Sequence, residues 1–192
     1  MSPRSEEQNE ALRERSRAKI LDNALALFAR FGYERTSVRM IAQAAGVSQG
    51  LLYNYFESKD HLLRALFVQS MRDVQETFAA AQSGGSPAER VERLIRSAFD
   101  VLKRNRAFWK LSYSVRMQPA VLAGLQADLE AWTASIHETL QRLLAESGAE
   151  NPAIEAELLF ALVDGVSQHY VLAPDRYPVD AVVAAIVAKF RR

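Results

Sequence analysis

The sequence contains no cysteine, so disulfide bridges and thiolate metal sites are excluded. It also has no uncharged apolar run near the roughly 20 residues that a membrane-spanning helix needs. The first residues, MSPRSEEQNEALRERS, are polar and charged, without the apolar core that an export signal requires. These absences are typical of a protein of the reducing cytoplasm, and we expect that location, with association with the nucleoid if the chain binds DNA.

The net charge is also low, but the charged residues are unevenly distributed along the chain. The 24 lysines and arginines nearly balance the 23 acids, which leaves a formal charge of +1. Eight basic and four acidic residues lie between Arg13 and Lys59, so this stretch is positive and the remainder is negative. A local basic excess suits a surface that faces phosphates, and a solvated helix face would show the same excess.

Strand-like alternation is absent, and apolar residues recur at helical spacing through the chain. The pattern predicts an all-α protein of about nine helices. A three-helix unit over residues 1–58 is followed by a larger helical bundle over residues 59–192. Within the bundle, Pro119 is predicted to open one long seventh helix that runs to about Glu146.

The most informative stretch is VRMIAQAAGVSQGLLYNYF, which begins at Val38. It predicts two short helices joined by a tight turn at Gly46, which is the helix-turn-helix pattern. The small side chain of Ala42 allows the two helices to approach closely. The inward positions are Ile41, Val47 and Leu52. The outward face of the third helix then presents Gln49, Gly50, Tyr53 and Asn54. A helix with such a polar face fits the major groove of DNA.

A wider set of residues surrounds this motif. It consists of Ile20-Leu21, Ala24, Phe28, Gly32-Tyr33, Thr36-Ser37-Val38, Ile41-Ala42, Ala44-Ala45-Gly46-Val47-Ser48, Gly50, Tyr53, Tyr55-Phe56, Lys59 and Leu62. On these residues the chain resembles the TetR family of one-component regulators, and the rest is similar in architecture. The resemblance implies an N-terminal DNA-binding domain and a C-terminal domain for ligand binding and dimerisation. It implies a homodimeric transcriptional regulator, foremost a repressor, that a small hydrophobic molecule releases from a palindromic operator.

Family positions and side-chain chemistry together predict the DNA contacts. They are Ser37, Arg39, Ser48, Gln49, Gly50, Tyr53, Asn54, Tyr55 and Lys59. Arg39 suits a base or a phosphate, and Gln49 suits adenine in the major groove. Lys59 opens the fourth helix, where its ammonium and the helix amides can hold one phosphate. Each residue also has a plainer interpretation: Arg39 as a solvated side chain, Tyr55 as part of the core, and the serines as helix caps.

The C-terminal domain is rich in large side chains, most of which must form its core. The predicted pocket residues are Phe67, Met71, Phe99, Trp109, Tyr113, Arg116 and Trp132. Two apolar stripes on the last two helices predict a four-helix interface between subunits. The predicted interface residues are Leu158, Leu162, Gly165, Val166, Val183 and Ile186. In this interpretation Gly165 permits close approach at the crossing.

Two other functions compete with a DNA-binding regulator. A helical protein-interaction module without sequence-specific DNA binding is disfavoured, because the face formed by the predicted DNA contacts is polar and suits phosphates. An enzyme is disfavoured because Asp164, Ser167 and His169 lie at spacings that turn the histidine away from the aspartate. His61 and His137 have no metal-ligand spacing. We therefore expect no catalytic residues, no metal and no cofactor.

Overall fold

The computed structural model describes residues 6–191, with side chains from residue 8 onward. In that part of the chain all regular secondary structure is helical. The helices are α1 (Glu6–Phe31), α2 (Val38–Ala45), α3 (Gln49–Tyr55), α4 (Lys59–Ala81), α5 (Pro87–Arg104), α6 (Arg106–Arg116), α7 (Pro119–Ala123), α8 (Gln126–Glu146), α9 (Pro152–Leu172) and α10 (Val179–Phe190). The predicted all-α class is confirmed. Within the described residues, no helix is long and apolar enough to cross a membrane.

The starts of α2, α3 and α4 are set by local capping. Ser37, Ser48 and Ser58 each accept, through Oγ, the N–H of the residue three positions later, at 3.2, 3.1 and 3.0 Å. These bonds satisfy donors that a helix terminus would otherwise leave unpaired. Gly46 ends α2 with a φ of 64°, a left-handed conformation that glycine adopts without steric cost. The helix-turn-helix is therefore encoded by residues near one another in the sequence.

The prediction of one continuous helix from Pro119 to Glu146 is wrong. The chain breaks at Gly124 and Leu125, so that α7 and α8 are separate and the described chain has ten helices. Gly124 N–H donates to the Val121 carbonyl, and Leu125 N–H donates to the Leu122 carbonyl at 2.8 Å. These are the tighter bonds of a 3₁₀ turn. Glycine weakens helix propagation, and Leu125 is buried in the core, which stabilises the tighter turn.

Two hydrophobic cores fill the molecule. One joins the helix-turn-helix to α4, α6 and the start of α8, so that Leu52, Phe67 and Phe108 share a single core. The other is built from α5, α8, α9 and α10. Phe78 and Trp109 pack against both cores. The predicted domain boundary after residue 58 stays a prediction. The first five residues of the predicted N-terminal domain, and Arg192 at the end of the C-terminal one, lie outside the described part of the chain.

Helix α6 lies between the N-terminal unit and the bundle. It packs against α1 on one side and against α5 and α9 on the other. A bidentate ion pair joins α4 to α8: Arg64 Nε and Nη2 donate to the Asp128 carboxylate at 2.6 and 3.2 Å. On the far side of the bundle, Lys103 Nζ lies 2.5 Å from Asp180, which links α5 to α10.

Candidate DNA interface and ligand cavity

The outer face of α3 is polar and open to solvent. Gln49, Gly50 and Asn54 are exposed, and Tyr53 is 50% exposed. Leu52, on the opposite face, is fully buried in the core. The helix therefore presents the polar surface that its sequence pattern predicts. Contact of these residues with DNA stays a prediction.

The other residues predicted on α2 and α3 border this surface. Arg39 is exposed and forms no ion pair with any described residue. Ser37 and Ser48 accept cap hydrogen bonds, which leaves their hydroxyl protons free to donate. Tyr55 is half-buried and packs against the first core, with the Arg13 guanidinium 6.0 Å from its ring centroid. Its core role and a hydroxyl contact with phosphate are compatible.

Lys59 is already engaged at the end of α1. Its Nζ donates to the Tyr33 carbonyl at 3.1 Å and lies 4.2 Å from the centre of the Tyr33 ring. The Tyr33 hydroxyl donates to Asp60. Burial, and then the Asp60 carboxylate, raise the pKa of Tyr33 above its ordinary value, so the hydroxyl stays protonated. These bonds fix the first turn of α4, and two ammonium protons of Lys59 remain for a phosphate.

Three basic residues of α1 lie beside the turn and α3, although the sequence did not assign them to the site. Arg13 lies near Tyr55, and the Arg17 guanidinium lies 5.7 Å from the centre of the Phe56 ring. A methyl group added at Gly46 would lie 3.5 Å from Lys19 Nζ. The basic excess of this segment was visible in the sequence. Its proximity to α3 depends on helix packing, which composition does not reveal.

Replacing Gly46 with alanine is expected to lower the free energy of unfolding by about 1–2 kcal/mol, because a side chain is disfavoured at positive φ. No close contact adds to this cost, since the nearest atom to the new methyl is the flexible Lys19 ammonium. Gly50→Ala is the matched control. At Gly50, inside α3, an added methyl group would meet only the Ser48 hydroxyl at 4.0 Å, an ordinary contact, so alanine there should stabilise the helix by up to about 1 kcal/mol. Urea unfolding of both variants measures the difference in the free energy of unfolding. Equal effects of the two substitutions would contradict the left-handed conformation of Gly46.

A cavity of about 70 Å³ lies between the two cores and is partly open to solvent. Four predicted pocket residues line it: Trp109, Tyr113, Arg116 and Trp132. The other lining residues are Val74, Phe78, Leu94, Ile95, Ala98, Val101, Leu102, Ile136, Leu140, Leu159, Phe160, Val163, Asp164 and Ser167. The structure thus brings aromatic rings of α6 and α8 to the wall of one cavity.

Phe67, Met71 and Phe99 do not line this cavity, so the structure corrects their placement. Phe67 and Met71 face the first core, where the Phe67 ring packs edge-on against Phe108 at 5.1 Å. Phe99 is buried in the second core. All three lie on core-facing stripes of their helices, and periodicity does not distinguish a wall of packed side chains from the wall of a void. For the same reason, the sequence pattern did not predict that side chains of α5 and α9 line the cavity.

Four linked side chains form one polar end of the cavity. Arg116 Nη1 donates to both carboxylate oxygens of Asp164, at 2.9 and 3.1 Å. The Tyr113 hydroxyl lies 3.3 Å from the Asp164 carbonyl and 3.4 Å from its carboxylate. Burial, and then Asp164, raise the pKa of Tyr113 above its ordinary value, so the phenol remains neutral. Ser167 lies buried beside this group, whereas His169 is exposed and stacks on Tyr177.

The indole nitrogens of the cavity wall are also unusual. The N–H groups of Trp109 and Trp132 are buried and have no hydrogen-bond partner among the described residues. The two ring centroids are 6.3 Å apart. A buried donor without a partner is destabilising unless a ligand or water supplies an acceptor.

The predicted dimer interface is only partly exposed. Leu158 and Leu162 of α9 are exposed, and Gly165 is half-exposed. Val166, Val183 and Ile186 were placed wrongly, because each is at least nine-tenths buried inside the protomer, in the second core. The exposed apolar face instead consists of Ile154, Leu158, Ala161 and Leu162 on α9 with Ala181, Ala184, Ala185 and Ala188 on α10. We call this set of eight residues the α9–α10 face.

Two family models together match most of the chain. Residues 20–66 match bacterial regulatory proteins of the tetR family, and residues 87–191 match the C-terminal domain of BetI-type transcriptional repressors. The HTH-type transcriptional repressor KstR of Mycolicibacterium smegmatis is 41% identical over 102 residues, which are 53% of this chain and 50% of that protein. The chain thus spans about half the length of that relative.

Longer similarities extend through both domains. The HTH-type transcriptional regulator BetI 2 of Chromohalobacter salexigens is 30% identical over 171 residues, which are 83% of this chain and 79% of the relative. A TetR-like transcriptional regulator from Rhodococcus sp. RHA1 has the same fold, with a TM-score of 0.75 and 27% identity. That match covers 98% of this chain and 95% of the other. The chain therefore belongs to the TetR family of bacterial regulatory proteins, with a C-terminal domain of the BetI type.

Proposed function

We propose that this chain is a ligand-responsive transcriptional repressor rather than an enzyme. It binds a palindromic operator as a homodimer in the cytoplasm, at the nucleoid, and a small hydrophobic molecule in the cavity releases it. The observation that carries the proposal is the exposed polar face of α3, bordered by basic residues and held on the same core as the cavity wall.

The helix-turn-helix supplies both kinds of DNA contact. Gln49 lies in the first turn of α3, where an amide can bond adenine N6 and N7 in the major groove. Arg39 lies on α2 and carries no ion pair within the described chain, so its guanidinium is available for a phosphate. The basic residues of α1 add a positive potential beside these contacts. Such phosphate contacts make binding strongly salt-dependent.

The α9–α10 face supports the homodimer. Large apolar side chains on α9 and small ones on α10 are exposed on two helices that contact each other, and monomeric proteins avoid large exposed apolar patches. Two copies related by a twofold axis can bury it as a four-helix contact. A dimer also places two recognition helices on successive major grooves, as a palindromic operator requires.

Helix α6 provides a direct connection between cavity and DNA. Trp109, Tyr113 and Arg116 face the cavity, while Phe108 and Leu111 belong to the core shared with the helix-turn-helix. A ligand that displaces α6 therefore acts on α1, which packs against it. Helix α4, which begins at the DNA-binding unit, offers a second connection. Release requires the ligand to bind the DNA-incompetent state more tightly, and DNA then weakens ligand binding by the same factor.

Two substitutions distinguish the expected DNA contacts. Gln49→Ala is expected to cost about 1–3 kcal/mol on the operator and little on random DNA, because only a base contact is lost. Arg39→Ala is expected to weaken binding to both DNAs similarly and to reduce the salt slope by about one. Fluorescence anisotropy with both duplexes at several salt concentrations measures the two effects.

Lys110→Ala is the matched control, since Lys110 is exposed on α6 and belongs to neither α2 nor α3. It should change neither the affinity nor the salt slope. If Gln49→Ala and Arg39→Ala both leave binding unchanged, the surface does not contact DNA and a protein-interaction module becomes the better interpretation.

A further inference from the structure

The polar end of the cavity carries no net charge, because Arg116 and Asp164 neutralise each other at 2.9 Å. From this we infer that the cavity selects an electrically neutral, predominantly hydrocarbon molecule whose polar group is a hydroxyl or carbonyl oxygen. The inference rests on the proposed function, since it names the chemical class of the molecule that fills the proposed effector cavity.

Arg116 is held in place by two neighbours, Asp164 and Tyr113. Its Nη1 donates to both oxygens of the Asp164 carboxylate, and its guanidinium carbon lies 5.0 Å from the centre of the Tyr113 ring. Its Nε and Nη2 make no hydrogen bond with a described residue, so they remain donors for an oxygen of the ligand. Arg116 can thus bind a neutral acceptor without leaving Asp164.

The rest of the cavity wall contains no charged side chain. Apart from Tyr113, Arg116, Asp164 and Ser167, the lining side chains are hydrocarbon or aromatic. The polar groups they do offer are the unpartnered indole N–H donors of Trp109 and Trp132, which also suit a neutral acceptor oxygen.

A charged ligand would be disfavoured at either sign. An anion next to Arg116 is also next to Asp164, so attraction and repulsion largely cancel and the cost of desolvating the anion is not offset. A cation next to Asp164 is also next to Arg116, so attraction and repulsion again largely cancel. The ring of Tyr113, which lies beside the Asp164 carboxylate, is already covered by the Arg116 guanidinium.

Three probes with the same eight-carbon chain test this selectivity: 1-octanol, octanoate and octyltrimethylammonium, each below its micelle concentration at pH 7.5. Both tryptophans of the chain line the cavity, so intrinsic fluorescence reports binding to the full-length protein. We expect 1-octanol to bind at least tenfold more tightly than either ion. In Asp164→Asn, which leaves the Arg116 charge unbalanced, octanoate should gain at least tenfold while 1-octanol changes less than threefold.

The wild-type ranking needs no variant and therefore does not depend on how a variant folds. An ion that binds as tightly as 1-octanol overturns the inference, as does an Asp164→Asn variant whose octanoate affinity is unchanged. Failure of all three probes to bind overturns the cavity as an apolar ligand site. Operator binding without probes is measured in parallel. If it is intact while the ranking fails, the ligand class is wrong and the repressor function stands.

Discussion

Replacing Leu158 with arginine is expected to separate the proposed homodimer into monomers and to abolish tight operator binding. Leu158 is 51% exposed in the protomer and lies within the α9–α10 face. In a dimer that buries this face, two arginines related by symmetry would be desolvated without partners, at several kcal/mol per ion. Since about 1.4 kcal/mol is a factor of ten, the dissociation constant should rise by on the order of a hundredfold or more.

Sedimentation velocity over a range of protein concentrations measures this change. Gln75→Arg is the matched control, because it adds the same charge at an exposed position of α4, outside the α9–α10 face. The control should remain dimeric and bind the operator normally. A Leu158→Arg protein that is still dimeric, with unchanged affinity, would place the interface on another surface.

Truncation of Phe108 to alanine is expected to lower the free energy of unfolding by about 3–5 kcal/mol. The side chain is 1% exposed, and its ring packs edge-on against Phe67 at 5.1 Å and Trp109 at 5.4 Å. The surrounding core joins α4, α6 and the helix-turn-helix, so little of the resulting void can close without moving the DNA-binding unit. Chemical denaturation monitored by circular dichroism measures the loss.

Tyr53→Ala gives the opposite combination of effects. Tyr53 is exposed on α3, so its truncation should change the free energy of unfolding by less than about 0.5 kcal/mol while weakening operator binding. A Phe108→Ala protein as stable as the wild type would show that α6 is not packed against the core that it shares with the helix-turn-helix.

The sequence predicts best what short segments determine. The serine caps and the turn at Gly46 act within four residues of their partners, and the helix-turn-helix is predictable from them. The break between α7 and α8 was missed, because Gly124 alone does not decide whether a helix continues. The burial of Leu125, which depends on tertiary packing, stabilises that break.

The choice of helix face is where sequence reasoning was weakest. Helix α9 is apolar on two sides, one facing the protomer core and one facing outward, so periodicity did not separate Val166 from Leu158. The cavity illustrates the same limit across greater distances. Arg116 and Asp164 lie 48 residues apart in the chain, and only the packing of α6 on α9 makes them an ion pair.

Selection of binding sites from a random duplex library is the most direct test of sequence-specific operator binding by this chain. We expect enrichment of a palindromic site whose half-sites are centred about one helical turn of DNA, or a multiple of it, apart, bound by the proposed dimer with a steep salt dependence. We also expect the Gln49→Ala variant to lose preference for that site over the starting library. A library that shows no enrichment after repeated rounds, with affinity equal for all duplexes, would contradict sequence-specific repression.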